Sequence, residues 1–166
     1  MKKIVFFTTV VTAAAATAVW LAVPAGASPA AGPAVTGTEH FQFMTTSTSF
    51  SPVSVIVFGV FTTAGRISHT AGNVDTLAFP GGTFKVAHST GTGSTTVNPK
   101  TCLVTTRQRG TYKVFGGTGK YAGISGHGTA HLSILAIAAR SGGKCTMTKP
   151  PLALQLIVRQ SGPVTQ

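Results

Sequence analysis

The sequence predicts an all-β protein: an eight-stranded antiparallel barrel, closed on itself, following an export leader. Three observations predict it. After the leader, no window places apolar residues at i, i+3, i+4 and i+7 between helix caps. Val, Ile, Phe and Thr instead fill short segments separated by Gly, Pro and Asn, the composition of strands and turns. Eight such segments lie in one domain, and eight short antiparallel strands leave exposed edges unless the sheet closes. A two-sheet sandwich is the competing arrangement. The interior of an eight-stranded barrel is narrow, and it is either filled by side chains or holds one small ligand.

The leader comes first. Lys2 and Lys3 make a positive start, the stretch from Ile4 to Val23 is apolar, and Pro24 ends it. Ala25-Gly26-Ala27 is a small-x-small cleavage site, so residues 1–27 read as a signal peptide cut after Ala27. The competing reading is a membrane anchor, since the apolar run is close to spanning length. Residues 28–37 read as a flexible mature N-terminus and residues 38–166 as the barrel domain. The 139 residues left after cleavage suit one domain with a genuine core. The expected location is extracellular.

The strands follow in order. Thr38 to Ser47 is the first, and Pro52 ends the turn after it. Val53 to Thr63 is the second, Arg66 to Thr70 the third. Gly72-Asn73 turns into Val74 to Phe79. Pro80-Gly81-Gly82 reverses the chain into Thr83 to Ser89. A polar loop is expected from Gly91 to Pro99, then a long strand from Cys102 to Phe115. The glycines from Gly116 to Gly128 make a corner into His127 to Ala139. Ser141-Gly-Gly143 and Pro150-Pro151 bracket the last loop, and Leu152 to Gln160 closes the set.

Alternation assigns faces. In the long strand the odd positions Arg107, Arg109, Thr111 and Lys113 form the wet face, opposite Cys102, Val104, Thr106 and Gln108. Phe84, Val86 and His88 share a face opposite Lys85, and Leu152, Leu154, Leu156 and Val158 share one opposite Gln155 and Arg159. Val53 to Phe61 is apolar on both faces: Val55, Val57 and Phe61 on one, Ile56, Phe58 and Val60 on the other. The outer of these needs a cover, either a C-terminal tail, a neighbouring subunit or a membrane surface.

Gly116-Gly-Thr-Gly-Lys-Tyr-Ala-Gly123, followed by Gly126-His-Gly-Thr129, resembles the corner between two long strands in the allene-oxide-cyclase-like barrels, whose relatives include the dirigent proteins. The chain is also similar to exported barrels of this family from actinobacteria, with Val74 to Phe84 and Asn98 to Cys102 as supporting segments. The resemblance implies an eight-stranded barrel, often oligomeric, with an apolar cavity. It also implies an isomerase or cyclase acting on an apolar substrate as one alternative function. It transfers no catalytic residue to a position of this sequence.

Other chemistry is excluded or weak. Gly117-Thr-Gly119-Lys-Tyr-Ala122 fits a loose dinucleotide pattern, but its flanks are strands and no acid follows Asp75. A phosphate loop would need Ser or Thr after Lys120, where Tyr121 stands. Ser125 near His127 misses the nucleophile elbow and its helix. Glu39 and Asp75 are the only acids, so paired-carboxylate catalysis would require those two to meet. His127 and His131 share a face but stand about 13 Å apart on a strand, too far to share one metal ion. No metal or cofactor is expected. Cys102 and Cys145, alone in an exported chain and 43 residues apart, are expected to be bridged.

Eleven Lys and Arg against two acids give the mature chain a net charge of +9, which attracts anions. The basic residues are spread from Arg66 to Arg159 with no run of three, a pattern that does not suggest a specific nucleic-acid groove. The expectation is an exported barrel that binds a small apolar ligand or acts at the cell surface without catalysis. His88, Phe84, Gln108, Tyr112 and Asp75 are the candidate ligand contacts, with Asp75 read first as a turn cap. A homo-oligomer and adhesion to an anionic envelope polymer are the other expected associations.

Overall fold

A computed structural model describes residues 33–166; the expected signal peptide and the first half of the expected flexible segment lie outside them, and Thr36 and Gly37, at the end of that segment, belong to the first strand. Among the described residues ten strands form: β1 (Thr36–Thr45), β2 (Ser54–Phe58), β3 (Thr63–Ala71), β4 (Val74–Phe79), β5 (Gly82–Val97), β6 (Leu103–Phe115), β7 (Ser125–Ile137), β8 (Ala139–Ser141), β9 (Lys144–Thr146) and β10 (Ala153–Thr165). Eight of them close a barrel in the order β1-β10-β7-β6-β5-β4-β3-β2, with every pair antiparallel. The two short strands β8 and β9 form a separate hairpin. Closure rests on β1 and β10, which pair continuously from Thr36↔Thr165 to Thr45↔Leu156.

Side-chain alternation holds around the ring. Glu39, Phe41, Phe43, Val55, Val57, Leu77, Phe84, Val86, Tyr112 and Val114 point inward and are buried, whereas Arg107, Arg109, Thr111 and Lys113 face water. One end of the interior is packed with aromatic rings: Phe84 lies 5.0 Å from Phe79, 5.4 Å from Tyr121 and 6.1 Å from Phe41. The other end holds Cys102, Val104, Ala136, Ala138 and Leu154. Cys102 is bonded to Cys145, with 5.4 Å between their Cα atoms, and this ties the start of β6 to the β8–β9 hairpin.

The glycine corner carries a single 3₁₀ turn, Gly119–Tyr121, which drops the Tyr121 ring into the aromatic end of the barrel. Gly117 has no alternative there, because a Cβ would overlap the Tyr121 carbonyl oxygen. Gly119 combines φ +58° with a backbone pressed against Gly81, a conformation that glycine adopts without steric cost.

Four expectations are corrected. The polar stretch from Gly91 to Val97 is strand, not loop: it continues β5 past a bulge between Thr90 and Gly93 and pairs with β6. Its polarity reflects position, since β4 pairs with β5 only as far as Ala87 and the rest lies in solvent. The second strand ends at Phe58, because Gly59 (φ +140°) turns the chain away. Leu152 precedes β10 and is 72% exposed, whereas Leu154 begins the inward row. The C-terminal segment is itself the wall strand β10, so it cannot cover the outer face of β2, where Ile56 (41%) and Phe58 (47%) remain exposed.

Candidate functional site

Midway between the two packed ends, the inward row changes character. On β6, β7 and β10 the inward residues at this level are Gln108 opposite Leu132 opposite Val158, and next to them Gly110 opposite Ala130 opposite Gln160. Gly110 and Ala130, paired neighbours on adjacent strands, put little side chain into the lumen. A cavity of about 230 Å³ results, walled by Leu132, Val158 and Ala130 and bordered by Gln108, His88 and Asp75. Its size is below the roughly 300–1,000 Å³ usual for drug-sized ligands, so only a compact molecule fits.

The polar border is a hydrogen-bonded chain. The Thr70 hydroxyl donates to Asp75 Oδ1 (2.6 Å), His88 Nε2 donates to Asp75 Oδ2 (3.0 Å), and Gln160 Nε2 donates to His88 Nδ1 (3.0 Å). The His88 and Asp75 side chains keep 27% and 16% of their surface exposed, so this border opens to solvent. Burial would raise the Asp75 carboxyl, but the hydrogen bonds from His88 and Thr70 outweigh it and hold the group below its ordinary range. Asp75 is therefore not a turn cap. In the Gly72-Asn73 turn it is Asn73 that makes the fixing bond, from its side-chain amide to the His88 carbonyl (2.9 Å).

Of the five expected contacts, Asp75, His88 and Gln108 border the cavity. Gln108 makes no side-chain hydrogen bond among the described residues, which leaves its amide open to a ligand. Phe84 and Tyr112 lie deeper. Phe84 is wholly buried in the aromatic end, and the Tyr112 ring stands edge-on to Phe41 at 5.6 Å. The Tyr112 hydroxyl is buried without a partner, and burial together with the nearby Glu39 charge pushes it up to about 12. Gln160 is the residue the sequence reading missed. Its signal was present, because the inward row Leu154, Leu156, Val158 continues to position 160.

Glu39, the second acid, is fully buried and serves the backbone. Its carboxylate accepts the Phe61 N–H (3.1 Å) and the His40 N–H (3.3 Å), holding the β2–β3 reversal. Burial raises its carboxyl, and these amide bonds offset only part of that. Glu39 and Asp75 thus occupy separate hydrogen-bonded sets and form no catalytic pair. Among the described residues no group of three or more His, Cys, Asp or Glu is placed to hold a metal ion.

No family model, no curated protein and no solved structure matches the chain.

Proposed function

We propose that this protein is an exported binding barrel that holds one small, mostly apolar molecule in the cavity beside His88. The observation that carries this reading is the cavity itself: aliphatic walls at Leu132, Val158 and Ala130, with a polar border at Gln108, His88 and Asp75. An apolar pocket with a few convergent polar groups is the usual form of a small-ligand site. Action outside the cytoplasm suits the leader in the sequence and the Cys102–Cys145 bridge. The closed eight-stranded barrel agrees with the allene-oxide-cyclase-like resemblance, and that kinship belongs to the proposal.

Binding is favoured over catalysis by the state of His88. Its Nε2 is engaged by Asp75 and its Nδ1 by Gln160, so no ring nitrogen is free to take a substrate proton. The isomerase or cyclase alternative requires Gln160 to release Nδ1 first. The Gln108 amide, which borders the cavity and makes no side-chain hydrogen bond among the described residues, is better placed to orient a ligand hydroxyl or carbonyl.

The protein purified from an exporting host, extracted after denaturation, should release a compound of low mass in near-equimolar amount by mass spectrometry. Ala130→Leu, which fills the cavity, should fold and release none. Release of the same compound from the filled variant, or an empty wild type that no small apolar alcohol or ketone stabilises against heat, would sink the proposal. Conversion of the bound compound into an isomer, abolished in His88→Gln, would establish the catalytic alternative.

A further inference from the structure

The basic residues look dispersed along the sequence, but the barrel gathers four of its cationic and imidazole side chains on one stretch of outer wall. On β10, β7 and β6 the register sets Arg159 opposite His131 opposite Arg109, and Arg107 lies two residues further along β6, opposite Ser133. Adjacent strands are about 4.8 Å apart, so Arg109, His131 and Arg159 form a row roughly 10 Å wide across three strands. The wall is concave there. The β5 bulge turns Gly93 and Ser94 toward the row, and a groove of about 600 Å³ lies between them. It continues past Arg159 and His131 to a second hollow of about 270 Å³ at His40 and Phe58.

Nothing in the described chain neutralises this groove. The guanidinium groups of Arg107, Arg109 and Arg159 make no hydrogen bond or ion pair among the described residues, whereas Arg140 is held by the Gly143 and Lys100 carbonyls. Both acids are committed elsewhere, Glu39 inside the barrel and Asp75 to His88 and Thr70. A concave row of unpaired cations focuses its field on an incoming anion.

We infer that this outer groove binds a linear, base-free polyanion built of repeating phosphate groups. Arginine forks match phosphate oxygens in pairs, and the Ser94 and Ser133 hydroxyls beside them supply donors from other directions, as a tetrahedral oxyanion requires. A slot several residues long suits a chain, whereas a flat lipid surface would bridge over the hollow. Single-stranded nucleic acid is disfavoured because the arginine part of the groove has no aromatic floor for base stacking. The nearest rings, His40 and Phe58, are stacked on each other at 5.0 Å. The groove is on the opposite face of the wall from the interior cavity, and the inference stands without any interior ligand.

The test uses the folded protein and fluorescently labelled inorganic polyphosphate, titrated at several salt concentrations. The triple variant Arg107→Gln, Arg109→Gln, Arg159→Gln should bind at least about 10-fold more weakly, and its salt slope should fall by about 2, at about 0.7 per lost contact. A control triple, Lys85→Gln, Lys113→Gln, Lys144→Gln, removes the same charge elsewhere and should lose less than about twofold. Ser133→Glu, a single carboxylate placed in the groove, should reproduce the loss if the arginine triple does not fold. Equal losses in the two triples would mean a diffuse field and overturn the inference. So would stronger binding of oligo-dT, of heparin or of phosphatidylglycerol vesicles than of polyphosphate, since each points to a different partner.

Discussion

Three polar groups, Tyr112, Asp75 and Glu39, set expectations at the scale of single residues. The Tyr112 hydroxyl has no partner, and an unmade buried hydrogen bond costs about 1–3 kcal/mol. Tyr112→Phe removes that hydroxyl and keeps the ring against Phe41, so urea unfolding should show the variant equal to or up to about 1 kcal/mol more stable than wild type. A loss above that range would mean the hydroxyl has a partner. Asp75 and Glu39 make opposite contributions to pH dependence. Asp75 is held below its ordinary value of 3.8. The unfolded chain therefore takes up that proton first on acidification, and the Asp75 contribution is present above pH 3.8 and lost as pH falls through the folded value. Glu39 is raised above 4.5. The folded chain keeps that proton longer, so the Glu39 contribution is complete below pH 4.5 and declines as pH rises through the folded value. Unfolding measured from pH 3 to 7 should show Asp75→Asn losing the acid fall and Glu39→Gln losing the decline above 4.5. Unchanged profiles in both variants would refute these environments.

Among the elements, the glycine corner has the clearest mechanical role. Gly117 lies under the Tyr121 carbonyl, and the corner exists to seat Tyr121 among Phe61, Phe79 and Phe84. Gly117→Ala has to open the turn and unseat the ring, and a loss of about 3 kcal/mol or more is expected, comparable to a large cavity in a core. Gly142, in the β8–β9 hairpin, also has positive φ (57°) but nothing near its missing Cβ. Gly142→Ala should cost only the backbone term of about 1–2 kcal/mol. Similar losses at the two sites in thermal melts would show that the corner does not position Tyr121. The corner was legible because its glycines are consecutive in the chain. What it seats was not, since Tyr121 meets Phe61 and Phe79 only after the barrel has brought the β2–β3 connection and β4 around.

For the whole molecule, closure means that the terminal strands are not edges. β1 is paired on one side by β2 and on the other by β10, so its amides can open only with the barrel. Hydrogen exchange should give Phe41, Phe43 and Val158 protection equal to that of Tyr112 and Val114 in the middle of the sheet. The half of β5 beyond His88, bonded to β6 alone, should exchange much faster. Rapid exchange along β1 would contradict closure and favour two open sheets.

The sequence alone determined the strand character, the faces and the reversals, because these depend on neighbours two to four positions away: a period of two, a Gly-Asn turn, a run of glycines. His88 could be read as inward on that basis, and so could Gln108. Tertiary structure alone decided which inward groups meet. Asp75 reaches His88 diagonally, from a β4 position whose direct partner is Val86. Gln160 arrives from 72 residues away, once β10 has closed the ring. The outer arginines follow the same rule: Arg109 and Arg159 are distant in the chain and are brought to one level by the register through β7. Strand register over long separations is a property of the closed sheet, and no local pattern encodes it.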